Sequence, residues 1–296
     1  VSGPPVHPLH EIDVDVPLVR ALLAEQHPDL AGRRLVRAGA GWDNALFRLG
    51  DDLAVRLPLR ALSVPLIEHE QRWLPELATL LPVAAPVPVR VGRPSRLFGS
   101  PWSVVRWVDG VGAETVPVAE RTPWAAALAR SLAALHVPAP ADAPHSPYRG
   151  VPLAVRDATV RPRLTQGPRP DVLLAAWLDG LAAPAWTGPA LWLHGDPHPA
   201  NLLVRDGRLV ALIDFGDLTA GDPASDLATR WLTFDAAGRA AFTAALPEVD
   251  EATWRRARAW VAPLVVALCA HPQEYPLLDA VGRHGAAALA DDGAAG

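Results

Sequence analysis

Residues 194–217 read HGDPHPANLLVRDGRLVALIDFGD, a stretch that sets Asp196, Asn201 and Asp214 beside the apolar runs Leu-Leu-Val and Leu-Ile. Carboxylates in such surroundings are costly unless they are paired or hold a cation. From Leu191 to Asp214 the pattern is strand, loop, strand, turn at RDGR, strand. Asp-Gly is hairpin-turn chemistry, and a turn there folds the two flanking strands back on each other. Asp196, Asn201 and Asp214 are thereby expected to reach one space.

Hard oxygen ligands of this kind suit magnesium, which takes a few carboxylates or amides and completes its shell with water and phosphate oxygens. Asp214, between Ile213 and Phe215, is the better metal ligand. Asp196, in a loop, is better placed to accept a proton or orient a hydroxyl. Phosphoryl transfer needs that division of labour: metal to neutralise phosphate charge, and one carboxylate to position the nucleophile.

Around this stretch, 296 residues allow one bilobal unit or two modest domains. Half the residues are apolar, enough for a packed core, yet no run of 18 uncharged apolar residues suggests a membrane span. The first residues, VSGPPVHPLHEIDVDVP, have prolines and acids where a secretory signal needs basic residues and an apolar core, so the expectation is a cytoplasmic protein. Cys269, the one cysteine, excludes an internal disulfide and a multi-cysteine zinc site, and its VVALCAHP setting reads as a buried, inert thiol. All 27 basic residues are arginine. A Walker A lysine, a Schiff-base lysine and a lysine nucleophile are therefore excluded. Net charge is −5, and residues 171–296 hold 16 Asp and Glu against 8 Arg. Such an excess favours cationic ligands and argues against a nucleic-acid partner.

Along the chain, Leu18, Leu22 and Leu23 predict a helix stopping near Pro28, followed by strands in RRLVRAG, NALFRLG and LAVRLP, the last two joined as a hairpin by Gly50-Asp51-Asp52. SVPLIEHEQRWLPELATLLP predicts a helix with Leu66, Glu70, Trp73 and Leu77 on one face, kinked or ended by Pro75. PWSVVRWVDG reads as a strand ending in a turn. After Asp109 the pattern turns helical: Thr122 as cap, then a Trp124, Leu128, Leu132, Leu135 stripe. VPAPADAPHSPYRGVP reads as a mobile surface loop. EATWRRARAWVAPLVVALCAHP reads as a buried helix kinked at Pro263, and GAAALADDGAAG as a frayed tail.

HGDPHPAN resembles the catalytic loop of the aminoglycoside phosphotransferase family, itself similar to the protein-kinase His-Arg-Asp loop, with Gly195 in place of Arg. IDFGD resembles that family's counterpart of Asp-Phe-Gly, and GDPASDLA (residues 221–228) the segment after it. A lone HxDxxxxN is weak evidence; the three segments at this spacing are strong. The resemblance implies an α+β, protein-kinase-like bilobal fold, with a β-rich nucleotide-binding N-lobe over residues 1–108. A mainly helical C-lobe over 109–296 would carry the catalytic loop, metal site and acceptor pocket. It makes Asp196 the catalytic residue, Asn201 and Asp214 the Mg2+ ligands, and Asp226 a structural anchor. His194 serves packing and hydrogen bonding, with a direct catalytic role as its second reading, and His198 is a satisfied loop histidine.

In the N-lobe, Arg56 stands where the family's ATP-binding lysine is expected, with Glu70, or else Glu68, as its acidic partner. Arginine pairs with phosphate bidentately but is not a neutral swap for lysine. Backbone amides from Gly41, Trp42, Asp43 and Asn44 would cover the phosphates, and backbone groups of Arg106, Trp107 and Val108 would meet the purine, the Trp107 ring being core packing. The implied reaction is transfer of the γ-phosphate of ATP or GTP, with magnesium, to a hydroxyl of a small cationic acceptor, first an aminoglycoside. Macrolides, cationic peptide antibiotics and metabolite alcohols are the alternatives. A nucleotide-binding pseudokinase is the rival from another class, marked by loss of Asp196, Asn201 or Asp214, all of which are present.

Overall fold

The structure is a computed structural model that describes residues 13–40 and 44–294. The chain forms two compact units, one reaching to Thr79 and adding Ala84–Asp109, the other made of Leu80–Val83 and the residues from Gly110 onward.

The first unit opens with α1 (Val16–Gln26), capped where the Asp15 carboxylate accepts the Leu18 N–H at 2.8 Å. Next come β1 (Leu35–Ala40), β2 (Asn44–Leu49), β3 (Leu53–Pro58), α2 (Val64–Leu77), β4 (Pro88–Gly92) and β5 (Trp102–Arg106). The strands form one antiparallel sheet in the order β1-β2-β3-β5-β4. Alternation in β2 puts Ala45, Phe47 and Leu49 in the core, whereas central β3 is buried at every position. Arg56 is therefore forced into the interior and needs a partner. Helix α2 runs past Pro75 to Leu77, and the residues it buries are Ile67, Glu70, Leu74 and Leu77. The predicted face was rotated: Trp73 is half-buried, its ring stacked under Arg72 at 4.3 Å.

The second unit comprises β6 (Val111–Gly112), α3 (Ala125–Leu135), α4 (Leu153–Val160), α5 (Pro170–Ala182), β7 (Leu191–Leu193), β8 (Leu202–Arg205), β9 (Arg208–Leu212), β10 (Thr219–Gly221), α6 (Ala224–Leu227), α7 (Thr229–Thr233), α8 (Ala236–Ala244), α9 (Glu251–Leu268) and α10 (Pro276–Ala294). Two small sheets, β6-β8-β9 and β7-β10, sit among helices, with α9 packed on α5, α6 and α10. Trp124, Leu128, Leu132 and Leu135 are buried as their spacing requires. Thr122 does not cap α3; its hydroxyl donates to Asp235 at 3.0 Å from a short 3-10 turn before the helix. The described part of the tail is helical, within α10 to Ala294: Ala286, Ala288 and Leu289 are buried, and Asp292 accepts from Arg239 at 2.9 Å. None of the helices among the described residues is long and apolar enough to cross a membrane.

The proline-rich segment 137–152 is not a loose surface loop. Trp192 donates to Val137 at 2.9 Å, Ala220 to Pro144 at 3.0 Å and Asp222 to Gly150 at 2.8 Å, and the Ser146 N–H reaches the buried Thr219 hydroxyl at 2.8 Å. Proline removes donors, so the segment is held mainly through its carbonyls, with the N–H groups of Ala139 and Ser146 as its outward donors. Cys269 is half-buried rather than buried, its thiol directed at the Asp279 carbonyl at 3.7 Å. Desolvation, aided by Asp279, pushes that thiol up to about 11. Thiolate is the reactive form, so labelling by a disulfide reagent at pH 8 should be far slower than for a free cysteine and should accelerate only as pH approaches 11. Rapid stoichiometric labelling of folded protein at pH 8 would contradict this.

Candidate active site

The predicted hairpin forms. Asp206 and Gly207 take positive φ of 52° and 69°, the pair of left-handed residues that a two-residue turn between twisted strands requires. Its register pairs Leu202 with Leu212, and the next rung continues as the Ile213 N–H donates to the Asn201 carbonyl at 2.9 Å. Asn201 thus lies across from the residue that precedes Asp214. Its own Nδ2 donates to the Asp196 carbonyl at 2.9 Å, which joins the loop to the hairpin and leaves the amide oxygen as a hard acceptor. Asp214 is exposed and holds a left-handed backbone, φ 60° and ψ 67°, a conformation that non-glycine residues adopt where the surrounding structure demands it.

His194 links the same two segments. Its buried ring donates from Nε2 to the Ile213 carbonyl at 3.0 Å, while Nδ1 accepts the Asp196 N–H at 3.3 Å. Burial lowers its pKa in spite of Asp226, Asp196 and Asp214, in keeping with a neutral Nε2–H imidazole. Beneath the loop, the fully buried Asp226 accepts from the His194 N–H at 2.8 Å and the Gly195 N–H at 2.9 Å, with His136 Nε2 at 3.2 Å. Asp222, four residues earlier, is paired with Arg256 of α9 at 2.7 Å. Gly195 has φ 89°, and a Cβ there would lie 2.1 Å from the Asp217 carbonyl oxygen, which explains why the second position of the loop carries no side chain.

The Asp196 carboxylate is partly buried between His198 and the Arg149 guanidinium. His198 Nε2 is 3.3 Å from Oδ2, and the Arg149 guanidinium is 3.2 Å from Oδ1. Burial alone would raise the Asp196 pKa; His198 and Arg149 outweigh it and hold the carboxyl well below the usual range. Conversely, burial would lower His198, and the facing Asp196 raises it. His198 Nδ1 accepts the Ala200 N–H at 3.2 Å, so the predicted loop role stands with a contact to Asp196 added. Arg149 is the residue that sequence reasoning missed. It comes from the proline-rich segment, 47 positions before Asp196, and nothing local in the sequence marks it.

In the first unit, Arg56 NH1 donates to both oxygens of Glu70, at 2.9 and 2.7 Å, and both side chains are buried. Glu68 is exposed, which leaves Glu70 as the partner. Gly41, Trp42 and Asp43 lie outside the described residues. Asn44 opens β2 opposite Pro58. Arg106 is exposed at the end of β5, opposite Leu53, and the Trp107 N–H donates to the Asp52 carbonyl at 2.8 Å. Trp107 is not core packing: its half-exposed ring stacks on Arg48 at 4.5 Å and its Nε1 donates to Asp109 at 2.8 Å, while Trp102 fills the core. Val108 is likewise half-exposed.

Solved structures share this fold. The GDP complex of wild-type aminoglycoside 2'-phosphotransferase-IIIa superposes with a TM-score of 0.69 at 17% identity, over 94% of this chain and 100% of that one. An APH(2'') enzyme with GDP and kanamycin gives 0.67 at 21% identity, over 93% and 98%. The macrolide 2'-phosphotransferase MphH from Brachybacterium faecium, as apoenzyme, gives 0.61 at 22% identity, over 93% and 97%. No curated protein matches the sequence. The profile of the phosphotransferase enzyme family, APH, matches residues 34–260, a span that takes in Arg56, Glu70, Asp196, Asn201 and Asp214, and the chain belongs to that family.

Proposed function

We propose that this phosphotransferase moves the γ-phosphoryl group of ATP or GTP to a hydroxyl of a small cationic acceptor, an aminoglycoside antibiotic. One observation carries the reading: a single loop and hairpin bring Asp196, Asn201 and Asp214 together, and His194 and Asp226 tie them. Asp196 would accept a hydrogen bond from the acceptor hydroxyl and aim its oxygen at phosphorus. A carboxylate stabilised by His198 and Arg149 is a weak base, which suits a loose transition state in which the hydroxyl proton leaves late.

Asn201 and Asp214 would hold Mg2+. One amide oxygen and one carboxylate fit an ion that keeps water and phosphate oxygens in its shell, and no group of three His, Cys, Asp or Glu able to hold a metal occurs among the described residues. When bound, the ion would neutralise phosphate charge. Arg56, aligned by Glu70, would steady the nucleotide phosphates together with the backbone of residues 41–44. Since the Trp107 N–H is engaged by Asp52, base contacts would fall to the other backbone groups of Arg106, Trp107 and Val108. GDP in two related structures supports a guanine nucleotide, and ATP in a streptomycin complex of another related enzyme supports an adenine one.

Kanamycin in the APH(2'') complex supports the aminoglycoside acceptor. A second reading, a macrolide-like acceptor with one amine, draws on a different observation. Arg149 contacts Asp196 and has Arg156 close enough to feel its charge, while Asp179, Asp222 and Asp292 are already ion-paired with Arg255, Arg256 and Arg239. The test is ADP or GDP release with magnesium across aminoglycosides, macrolides, cationic peptides and amino alcohols. Turnover with one class identifies the acceptor. Bound nucleotide with no acceptor-stimulated release from any of them would overturn the antibiotic-kinase reading.

A further inference from the structure

Arg149 is built into the site more firmly than a stray surface charge. Its Nε donates to the Gly195 carbonyl at 2.7 Å and its NH2 to Asp196 Oδ1 at 3.2 Å, while Asp217 Oδ2 lies 4.0 Å away. One planar guanidinium therefore holds the backbone and the side chain of the loop at once, a geometry that lysine reproduces only in part. The segment carrying it is pinned on both sides, by Trp192 to Val137 at 2.9 Å and Asp222 to Gly150 at 2.8 Å. Gly150, φ 67°, is packed so closely that a Cβ would lie 2.5 Å from Leu193 Cδ1 and 3.2 Å from the Gly221 Cα. The guanidinium is thus delivered from a fixed base.

We propose that Arg149 is a positioning residue for phosphoryl transfer, acting through Asp196: it fixes the rotamer of that carboxylate and so the direction in which the acceptor hydroxyl is held. In a loop whose second position must be Gly195, the arginine arrives from a segment 46 residues earlier in the chain. The proposal rests on the phosphotransferase roles given above for Asp196.

The test compares wild type, Arg149→Met, Arg149→Lys, Asp196→Asn and the Arg149→Met/Asp196→Asn double variant, with Mg2+ and ATP or GTP, using kanamycin, a macrolide and water as acceptors. A displaced catalytic group costs about 100-fold, so Arg149→Met should lower kcat by roughly that factor. Nucleotide KM should stay within about twofold, and Arg149→Lys should recover about tenfold of the loss. In the Asp196→Asn background, Arg149→Met should have almost no further effect, because its action runs through the missing carboxylate. Multiplying losses in the double variant, or a loss confined to nucleotide KM, would overturn the proposal in favour of a direct phosphate contact. Full activity in Arg149→Met would overturn it as well. If wild type turns over none of the three acceptors, the acceptor reading fails separately, and a crystal structure of Arg149→Met decides: a displaced Asp196 carboxylate supports positioning, an unmoved one overturns it. Should the methionine variant not fold, Arg149→Lys alone carries the same kinetic and structural comparison.

Discussion

Asp196→Ala should yield a folded, nucleotide-binding protein whose phosphoryl transfer is slower by about 10³-fold, since a positioned acid–base group contributes roughly 10²–10⁴. The fold should survive because the partners left behind, the Arg149 cation and a His198 ring no longer held protonated by Asp196, each keep some solvent exposure, with 21% and 12% of their side-chain surface accessible. Arg149 also retains its bond to the Gly195 carbonyl, and His198 its bond from Ala200. Nucleotide affinity should change little, because Arg56 and Glu70 form their pair in the other unit. Loss of kcat at constant nucleotide affinity is the signature of an interaction made in the transition state. The measurements are acceptor-stimulated ADP or GDP release and nucleotide binding by calorimetry. A variant that kept more than about a tenth of wild-type kcat would remove Asp196 from the reacting centre.

Asp226→Ala is expected to damage stability rather than chemistry alone. Its carboxylate is fully buried and accepts the N–H groups of His194 and Gly195, with His136 as a third partner. Truncation leaves two backbone donors unsatisfied, and breaking such a buried charged network costs about 3–5 kcal/mol. For a chain of this length that corresponds to a fall in Tm on the order of 10 °C. Urea and thermal unfolding would read the loss directly. Asp226→Asn preserves the shape but turns an amide N–H toward a backbone N–H, so it should be destabilised less than the alanine variant. A cost below about 1 kcal/mol for alanine would mean that the loop is held elsewhere.

Much of the site was legible because its signals are local. A hairpin turn at Asp206-Gly207 needs two left-handed residues, and the alternating apolar residues beside it set a register that carries Asn201 to the Asp214 end of the partner strand. Arg56 and Glu70 were likewise legible: one sits on a strand of continuous apolar neighbours, the other on the helix that follows. Side-chain surroundings were not. The face of α2 is chosen by the sheet it packs on, so Ile67 and Leu74 are buried and Trp73 lies under Arg72. Trp107 and Trp102 look alike in sequence, yet only the second lies in the core.

The amino-acid sequence by itself determined the local frame of the candidate site: an arginine-only basic complement, and three oxygen-bearing side chains, Asp196, Asn201 and Asp214, at a spacing that a short hairpin joins. Local steric and hydrophobic rules suffice for that, because they act within a few residues. Only the tertiary structure decided what surrounds the cluster. Proline-rich residues 137–152 are pinned through carbonyls to β7 and β10, which brings Arg149 to Asp196, and acidic side chains such as Asp222 and Asp292 are ion-paired with particular arginines far away in sequence. Pairings across tens of residues depend on how whole elements pack, and composition holds no record of which charge meets which.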